Sequence, residues 1–251
     1  MKQFNYANQA KLFNADTIEA MKTLKDKSVD LILADLPYGM TKMEWDKIIP
    51  FDQLWEQYER ILTDNGNIVL FGQGKFSIQL QLSNEKMFRY KLIWVKNVPT
   101  GMAQASYRPM HYYEEILIFN NGKKAIYNPI KKERIGKGKA CYKYDHYCGE
   151  NNHNDMKKIK YRYDENYVNP SDVLTFNVVP NRSGKLHPTE KPLELLEYLI
   201  NTYSNEGSIV LDNTMGSGST GEAAVINNRK FIGIEISEKY FNIAKERLDF
   251  L

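Results

Sequence analysis

The run Gly216-Ser217-Gly218-Ser219-Thr220-Gly221 limits what this 251-residue chain can fold into more than any other stretch. It stands between a short apolar segment, 208–212, that reads as a buried strand, and a helical stretch, 219–227. A second apolar segment, 231–235, ends on Glu235, 19 residues after Gly216. Strand, glycine turn, helix and strand in that order predict a parallel β-α-β crossover. The glycines let backbone approach a ligand, and an acid closing the second strand suits ribose hydroxyls. That is the fingerprint of an adenosine-containing cofactor. Alone it does not separate a nicotinamide dinucleotide from another adenosine ligand.

The position of the turn is unusual, because nucleotide-binding sheets normally begin with it and here it lies near the end of the chain. Circular permutation resolves this. The last helix, 238–248, which buries Phe241, Ala244 and Leu248, would lead into a strand at 10–14 if the ends were joined. Chain ends commonly lie close together, so the rearrangement is physically mild. The remaining elements fit an α/β, doubly wound sheet. Asp16 and Glu19 form a capping box for a short helix ending at Leu24. Strands follow at 29–35, 68–71 (after an Asn65-Gly66 turn), 90–95 and 116–120, the last two including an antiparallel partner. Phe51, Leu54, Trp55, Tyr58, Ile61 and Leu62 at helical spacing predict a helix over 51–62. Lys191-Pro192 opens another helix, carrying Leu193, Leu196, Leu199 and Ile200.

In the permuted order the glycine-turn strand is strand 1 and the strand ending in Asp35 is strand 4. Those two are neighbours at the topological switch point of a doubly wound sheet, where ligands bind. At the end of strand 4 stand Asp35-Leu36-Pro37-Tyr38-Gly39. A carboxylate, a stiff proline and an aromatic ring are thereby held at the carboxyl edge, a set suited to gripping a flat base by its face and its exocyclic amine.

Charge divides the chain. The overall charge is +3, yet residues 121–163 hold 12 Lys and Arg against 4 Asp and Glu, so the remainder is net acidic. Periodicity is lost over the same region, and an irregular basic insert of this kind is the footprint of a polyanion-binding module on an enzyme core. Lys131, Lys132, Arg134, Lys137, Lys139 and Lys143 are its candidate contacts to a polyanion such as DNA, interleaved with tyrosines able to stack on bases. The expected organisation is a single α/β domain in two parts, 1–120 and 185–251, interrupted by the insert at 121–184. Cys141, His146, Cys148 and His153 do not have zinc-ligand spacing, and no metal is expected. Two cysteines, an opening hexapeptide without an apolar core and no apolar stretch near the roughly 20 residues of a membrane span point to the cytoplasm.

The chain resembles the beta class of amino-group DNA methyltransferases, which use S-adenosylmethionine in a permuted Rossmann-like fold. The resemblance rests on Asn14-Ala15-Asp16, Asp35-Leu36-Pro37-Tyr38, Asn67-Ile68-Val69-Leu70-Phe71-Gly72, His187-Pro188-Thr189-Glu190-Lys191-Pro192 and Leu211-Asp212-Asn213-Thr214-Met215-Gly216-Ser217-Gly218-Ser219-Thr220. The stretch from Tyr38 to Phe76, with Trp45-Asp46, is similar to phage and solitary bacterial enzymes. The resemblance implies that Asp35 and the carbonyl of Leu36 accept the target amine's hydrogens, Pro37 stiffens the turn and Tyr38 stacks on the flipped base. Leu36 departs from the family's usual proline there, but any residue supplies the carbonyl. It further implies a cofactor site from Asp16, Thr17, Asp35, His187, Thr189, Lys191, Asp212, Gly216, Gly218, Ser219, Thr220 and Glu235, with Lys191 near the methionine carboxylate.

An acid-first motif is typical of adenine-N6 enzymes, with cytosine N4 the alternative. Cytosine C5 is disfavoured because neither Cys141 nor Cys148 follows proline. A nicotinamide-dependent oxidoreductase would use the glycine turn and leave Asp35-Leu36-Pro37-Tyr38 idle; a non-catalytic DNA-binding module would leave it idle too. RNA in place of duplex DNA, a companion restriction endonuclease, and a monomer or homodimer all stay open.

Overall fold

The computed structural model describes residues 2–6, 9–39, 47–122, 124–134, 143–144, 158–159, 166–180 and 190–250. In chain order the elements are β1 (Lys2–Tyr6), β2 (Ala10–Asn14), α1 (Thr17–Lys22), β3 (Val29–Ala34), α2 (Phe51–Ile61), β4 (Leu62–Gly72), α3 (Gly74–Ser83), β5 (Phe88–Thr100) and β6 (His111–Asn120). Four two-residue strands follow: β7 (Lys132–Glu133), β8 (Lys143–Tyr144), β9 (Lys158–Ile159) and β10 (Tyr167–Val168). The chain then forms β11 (Val173–Thr175), α4 (Leu193–Tyr203), β12 (Ile209–Asp212), α5 (Ser219–Ile226), β13 (Lys230–Glu235) and α6 (Glu238–Asp249).

Nine strands form one sheet in the order β1-β2-β13-β12-β3-β4-β6-β5-β11. The run β2-β13-β12-β3-β4 is parallel throughout. β6 pairs antiparallel with both β4 and β5, supplying the expected antiparallel partner. With the ends joined, β12, β13, β2, β3 and β4 are strands 1 to 5, and their spatial order is 3-2-1-4-5. The permutation is visible in the packing of the ends: Lys2 pairs with Glu238 at 2.5 Å, and Lys245 lies over the Phe4 ring.

Pleating explains how β3 serves two layers. Leu31 and Leu33 join the core under α4, α5 and α6, with Leu195, Leu199, Ala223, Phe241 and Ala244. Ile32 and Ala34 point the other way, among Ile18, Met21, Leu54, Tyr58 and Leu80 of α1, α2 and α3. A strand buried on both faces must be apolar at successive positions, which is why 31–34 shows no alternation. Asp16 caps α1 as expected, accepting from the amides of Ile18 and Glu19, but Glu19 turns its carboxylate to Lys22 at 2.7 Å.

Several expectations are corrected. Asn65-Gly66 does not precede the third strand; it sits inside β4, where the register jumps from Val29 opposite Leu62 to Leu31 opposite Asn67. Turn chemistry there serves a bulge within a strand. Pro192 is the cap of α4, and the helix begins at Leu193. Helix α3 and strands β1 and β11 left no clear pattern; exposed Ile78 and Leu82 blur the apolar stripe of α3.

The chain divides into two compact units, residues 129–171 and the rest, with the boundaries inside the expected 121–184 insert. Residues flanking the smaller unit belong to the body: the Asn128 amide donates to Thr202, and β11 runs parallel to β5. Within the smaller unit β7 pairs with β10 and β8 with β9, both antiparallel. Among the described residues no helix is long and apolar enough to cross a membrane.

Candidate active site

Adjacent parallel strands β12 and β3, registered at Val210 with Leu31 and Leu211 with Ile32, bring Asp212 and Asp35 to the same sheet edge. A cleft of about 540 Å³ opens there. Asp16, Thr17, Asp35, Leu36, Pro37, Tyr38, Lys191, Asp212, Gly216, Ser219, Thr220 and Glu235 all line it. Two turns far apart in sequence thus meet in one cavity.

At the glycine turn the geometry is set by backbone. Gly216 and Gly218 have φ of 51° and 81°, a region that disfavours side chains. Gly218 caps α5 and faces Ala244, where a Cβ would lie 2.9 Å from the alanine Cβ. Glu235 receives the amide of Gly216 at 3.0 Å and that of Ser237 at 2.7 Å, while burial raises its pKa. Asp212 accepts from the Thr214 amide at 3.0 Å. Burial is the main reason that its pKa rises to about 7; Thr220 and Thr214 oppose the rise, and the charges of Asp35 and Glu235 add to it. Asn213, buried beside it, accepts from the Tyr58 hydroxyl at 2.6 Å and donates to Thr17 Oγ1 at 3.0 Å.

The Asp35 end is built from side chains. Tyr38 donates its hydroxyl to Asp35 Oδ1 at 2.8 Å, and Lys191 donates to Oδ2 at 2.6 Å. Thr214 Oγ1 donates to the Asp35 carbonyl at 3.1 Å. The Tyr38 ring stacks on Phe76, with centroids 4.7 Å apart and planes 25° apart. Burial raises the pKa of Asp35 and the charge of Lys191 opposes it. Lys191 lies 4.8 Å from the centre of the Phe71 ring. Burial alone would lower its pKa, yet Asp35 and Glu114 raise it, so the ammonium stays charged.

His187, Thr189, Lys137 and Lys139 fall outside the described residues, as do Trp45 and Asp46. Lys131 and Lys132 are exposed in the smaller unit, where the Arg134 guanidinium donates to the Tyr167 carbonyl and Lys143 lies in β8. Among the described residues no His, Cys, Asp and Glu group could hold a metal. Sequence reasoning passed over Tyr58, Asn213, Glu114 and Lys96. Tyr58 was hidden in the core stripe of α2, and Asn213 lay in plain view beside the glycine turn. Glu114 and Lys96 carried no signal, because only the β5–β6 register brings them together.

A family model of N6/N4 DNA methylases matches residues 29–246. The chain belongs to that family. Over 253 residues, 95% of this chain and 74% of the relative, it is 32% identical to the type II methyltransferase M.HpaI of Haemophilus parainfluenzae. It is 30% identical to the DNA adenine methyltransferase YhdJ of Escherichia coli (strain K12), over 97% of this chain and 84% of that protein. Among solved structures, a complex of M1.HpyAVI with SAM aligns over 96% of this methylase and 99% of that chain, at 26% identity and a TM-score of 0.61. The cytosine-N4-specific PvuII DNA methyltransferase shares the fold at a TM-score of 0.69 and 14% identity, covering 95% of this chain and 86% of that one.

Proposed function

We propose that this methylase transfers the methyl group of S-adenosylmethionine to the N6 amine of an adenine flipped out of duplex DNA. The observation that carries the reading is the shared cleft, which Asp35 and the glycine turn both line. The donor set fits the cofactor. Asp212 is a buried acid suited to an ammonium group, and Glu235 ends β13 where ribose hydroxyls would lie. Ile236 and Tyr240 offer apolar surface for an adenine ring.

Bound there, the cofactor supplies an activated methyl on a sulfonium. That methyl would pass to the amine nitrogen in a single displacement, the carbon–nitrogen bond forming as the carbon–sulfur bond breaks, and one amine proton would leave for solvent. Asp35 and the carbonyl of Leu36 accept the amine's two hydrogens, turning its lone pair out of the ring and toward the methyl. Holding that near-attack arrangement is the main catalytic contribution. Tyr38 must release Asp35 Oδ1 to admit the amine, and its ring then returns about 1–3 kcal/mol of the flipping cost by stacking.

Acid-first Asp35 and the likeness to YhdJ favour adenine over cytosine. The smaller basic unit would read the DNA. The likeness to type II enzymes supports a companion restriction endonuclease, and DNA as substrate would put the protein in the cytoplasm. Purified protein incubated with labelled S-adenosylmethionine and unmethylated genomic DNA should yield N6-methyladenine on nuclease digestion. N4-methylcytosine in its place, or no labelled base, would overturn the assignment.

A further inference from the structure

Behind Asp35 runs a line of alternating charge. Lys191 donates to Asp35 Oδ2 at 2.6 Å and lies 3.3 Å from Glu114 Oε2, and Lys96 donates to Glu114 Oε1 at 2.7 Å. Lys96, Glu114 and Lys191 keep only 3%, 15% and 10% of their side-chain surface exposed. The order is cation, anion, cation, anion, ending at the catalytic carboxylate. Lys96 comes from β5 and Glu114 from β6, the two antiparallel strands beyond β4. Neither lines the cleft, so neither is placed to touch cofactor or base.

We propose that Glu114 is a positioning residue for methyl transfer: with Lys96 behind it, it shares Lys191 with Asp35, keeping Oδ2 engaged and leaving Oδ1 for the target amine. The proposal rests on the assignment of Asp35 as the amine's acceptor. A buried ion pair is weak evidence for stability, since apolar residues of similar volume serve a sheet as well or better. Its placement behind the acceptor is what needs explaining. Were Asp35 the sole anion beside Lys191, the ammonium would draw all its compensation from that carboxylate and weaken it as an acceptor. Glu114 takes part of that charge. The electrostatics agree. Burial would raise the pKa of Glu114, but Lys191 and Lys96 outweigh it and hold it below the ordinary range, so Glu114 remains an anion. The groups facing Asp35 are Lys191 from before α4, Glu114 from β6, Tyr38 from its own turn and Asp212 from β12, and the Glu114 charge pushes Asp35 upward.

The test is Glu114→Gln, assayed on duplex DNA across pH. Turnover should fall about ten- to a hundredfold, as for a misplaced catalytic group, with KM for cofactor and DNA within about twofold of the parent. The acid limb of kcat should move to lower pH, because Asp35 would then face Lys191 without the second anion. An unchanged rate and limb would overturn the role. So would a lower rate with an unmoved limb and a reduced melting temperature, which marks a merely structural pair. If the glutamine variant does not fold, Lys96→Met with Glu114→Gln removes the outer pair as a neutral unit and should show the same limb shift. Failure of this inference leaves Asp35→Ala inactive. An active Asp35→Ala would instead sink the acceptor assignment beneath it.

Discussion

The two ends of the cleft are built by different means. At the glycine turn, one contiguous run supplies nearly everything: the Gly216 and Thr214 amides satisfy Glu235 and Asp212, and glycines admit α5 against its neighbours. At the Asp35 end, side chains from the turn after β3, from β5 and β6 and from just before α4 converge, and three of them are charged partners of one another or of Asp35. A backbone-built site is inseparable from folding, so damage there should appear as lost stability and lost cofactor together. A side-chain-built site can be dismantled on an intact scaffold, so damage there should appear in turnover.

Asp35→Ala should separate the two ends by the widest margin. Removing a preorganised electrostatic interaction of this kind lowers kcat by about 10²–10³-fold. Cofactor affinity, measured by calorimetry with S-adenosylhomocysteine, should change little. Retained turnover would erase the contrast. Gly221→Ala probes the other end. Its Cβ would lie 2.6 Å from Cε1 of Phe231, a ring 1% exposed in the core, so helix and strand must move apart. Overpacking of this kind costs about 1–3 kcal/mol. Melting temperature and cofactor affinity should drop together, and a variant that loses only turnover would show that folding and cofactor binding do not share this turn.

The smaller unit gives a third contrast, with Lys131, Lys132 and Arg134 as the proposed DNA contacts. Replacing Lys131, Lys132 and Arg134 with alanine should weaken DNA binding while kcat at saturating DNA holds. The slope of log affinity against log salt should flatten by about 0.9 for each phosphate that is no longer neutralised. An unchanged slope removes these residues from the interface.

How much could be read from the chain follows the same division. The strand–turn–helix unit at 208–227 was legible because its meaning is local: glycines where φ is positive or a Cβ has no room, and an acid at the next strand end. Even the permutation could be read, since β12 and β3 declare their ends through Asp212 and Asp35. Long-range pairing could not. Lys191 stands in a readable motif, but its position between Asp35 and Glu114 exists only in the fold. Nothing local to Glu114 or Lys96 marks them, because an alternating strand carries charged residues on its outer positions as a matter of course. Their neighbours exist only once β5 and β6 are registered. Helix α3 escaped for a related reason: its pattern is set by what packs on it, not by a complete apolar face.

The smallest expected change in ligand affinity comes from Asp212, which belongs to the backbone-built end yet carries a titration. Its folded-state pKa of about 7 lies above the roughly 3.9 of an exposed aspartate, with burial the first cause. The sign follows from proton counts. Between those two values the unfolded chain is ionised and the folded chain holds the proton, so this group lowers stability as pH rises through the interval, and the loss levels off above about pH 7. Asp212→Asn removes the burden, so the stability of the cofactor-free variant relative to the parent should be greater at pH 8 than at pH 5. Cofactor binding has the opposite slope. An ammonium placed beside Asp212 favours the carboxylate, so affinity should climb severalfold from pH 6 to pH 8 and be flat in the asparagine variant. Calorimetry in buffers of different ionisation enthalpy should also detect proton release on binding near pH 6.5. A pH-independent affinity in the parent would mean that Asp212 serves the fold of the turn and not the ligand, which would make the glycine end wholly structural and sharpen its difference from Asp35.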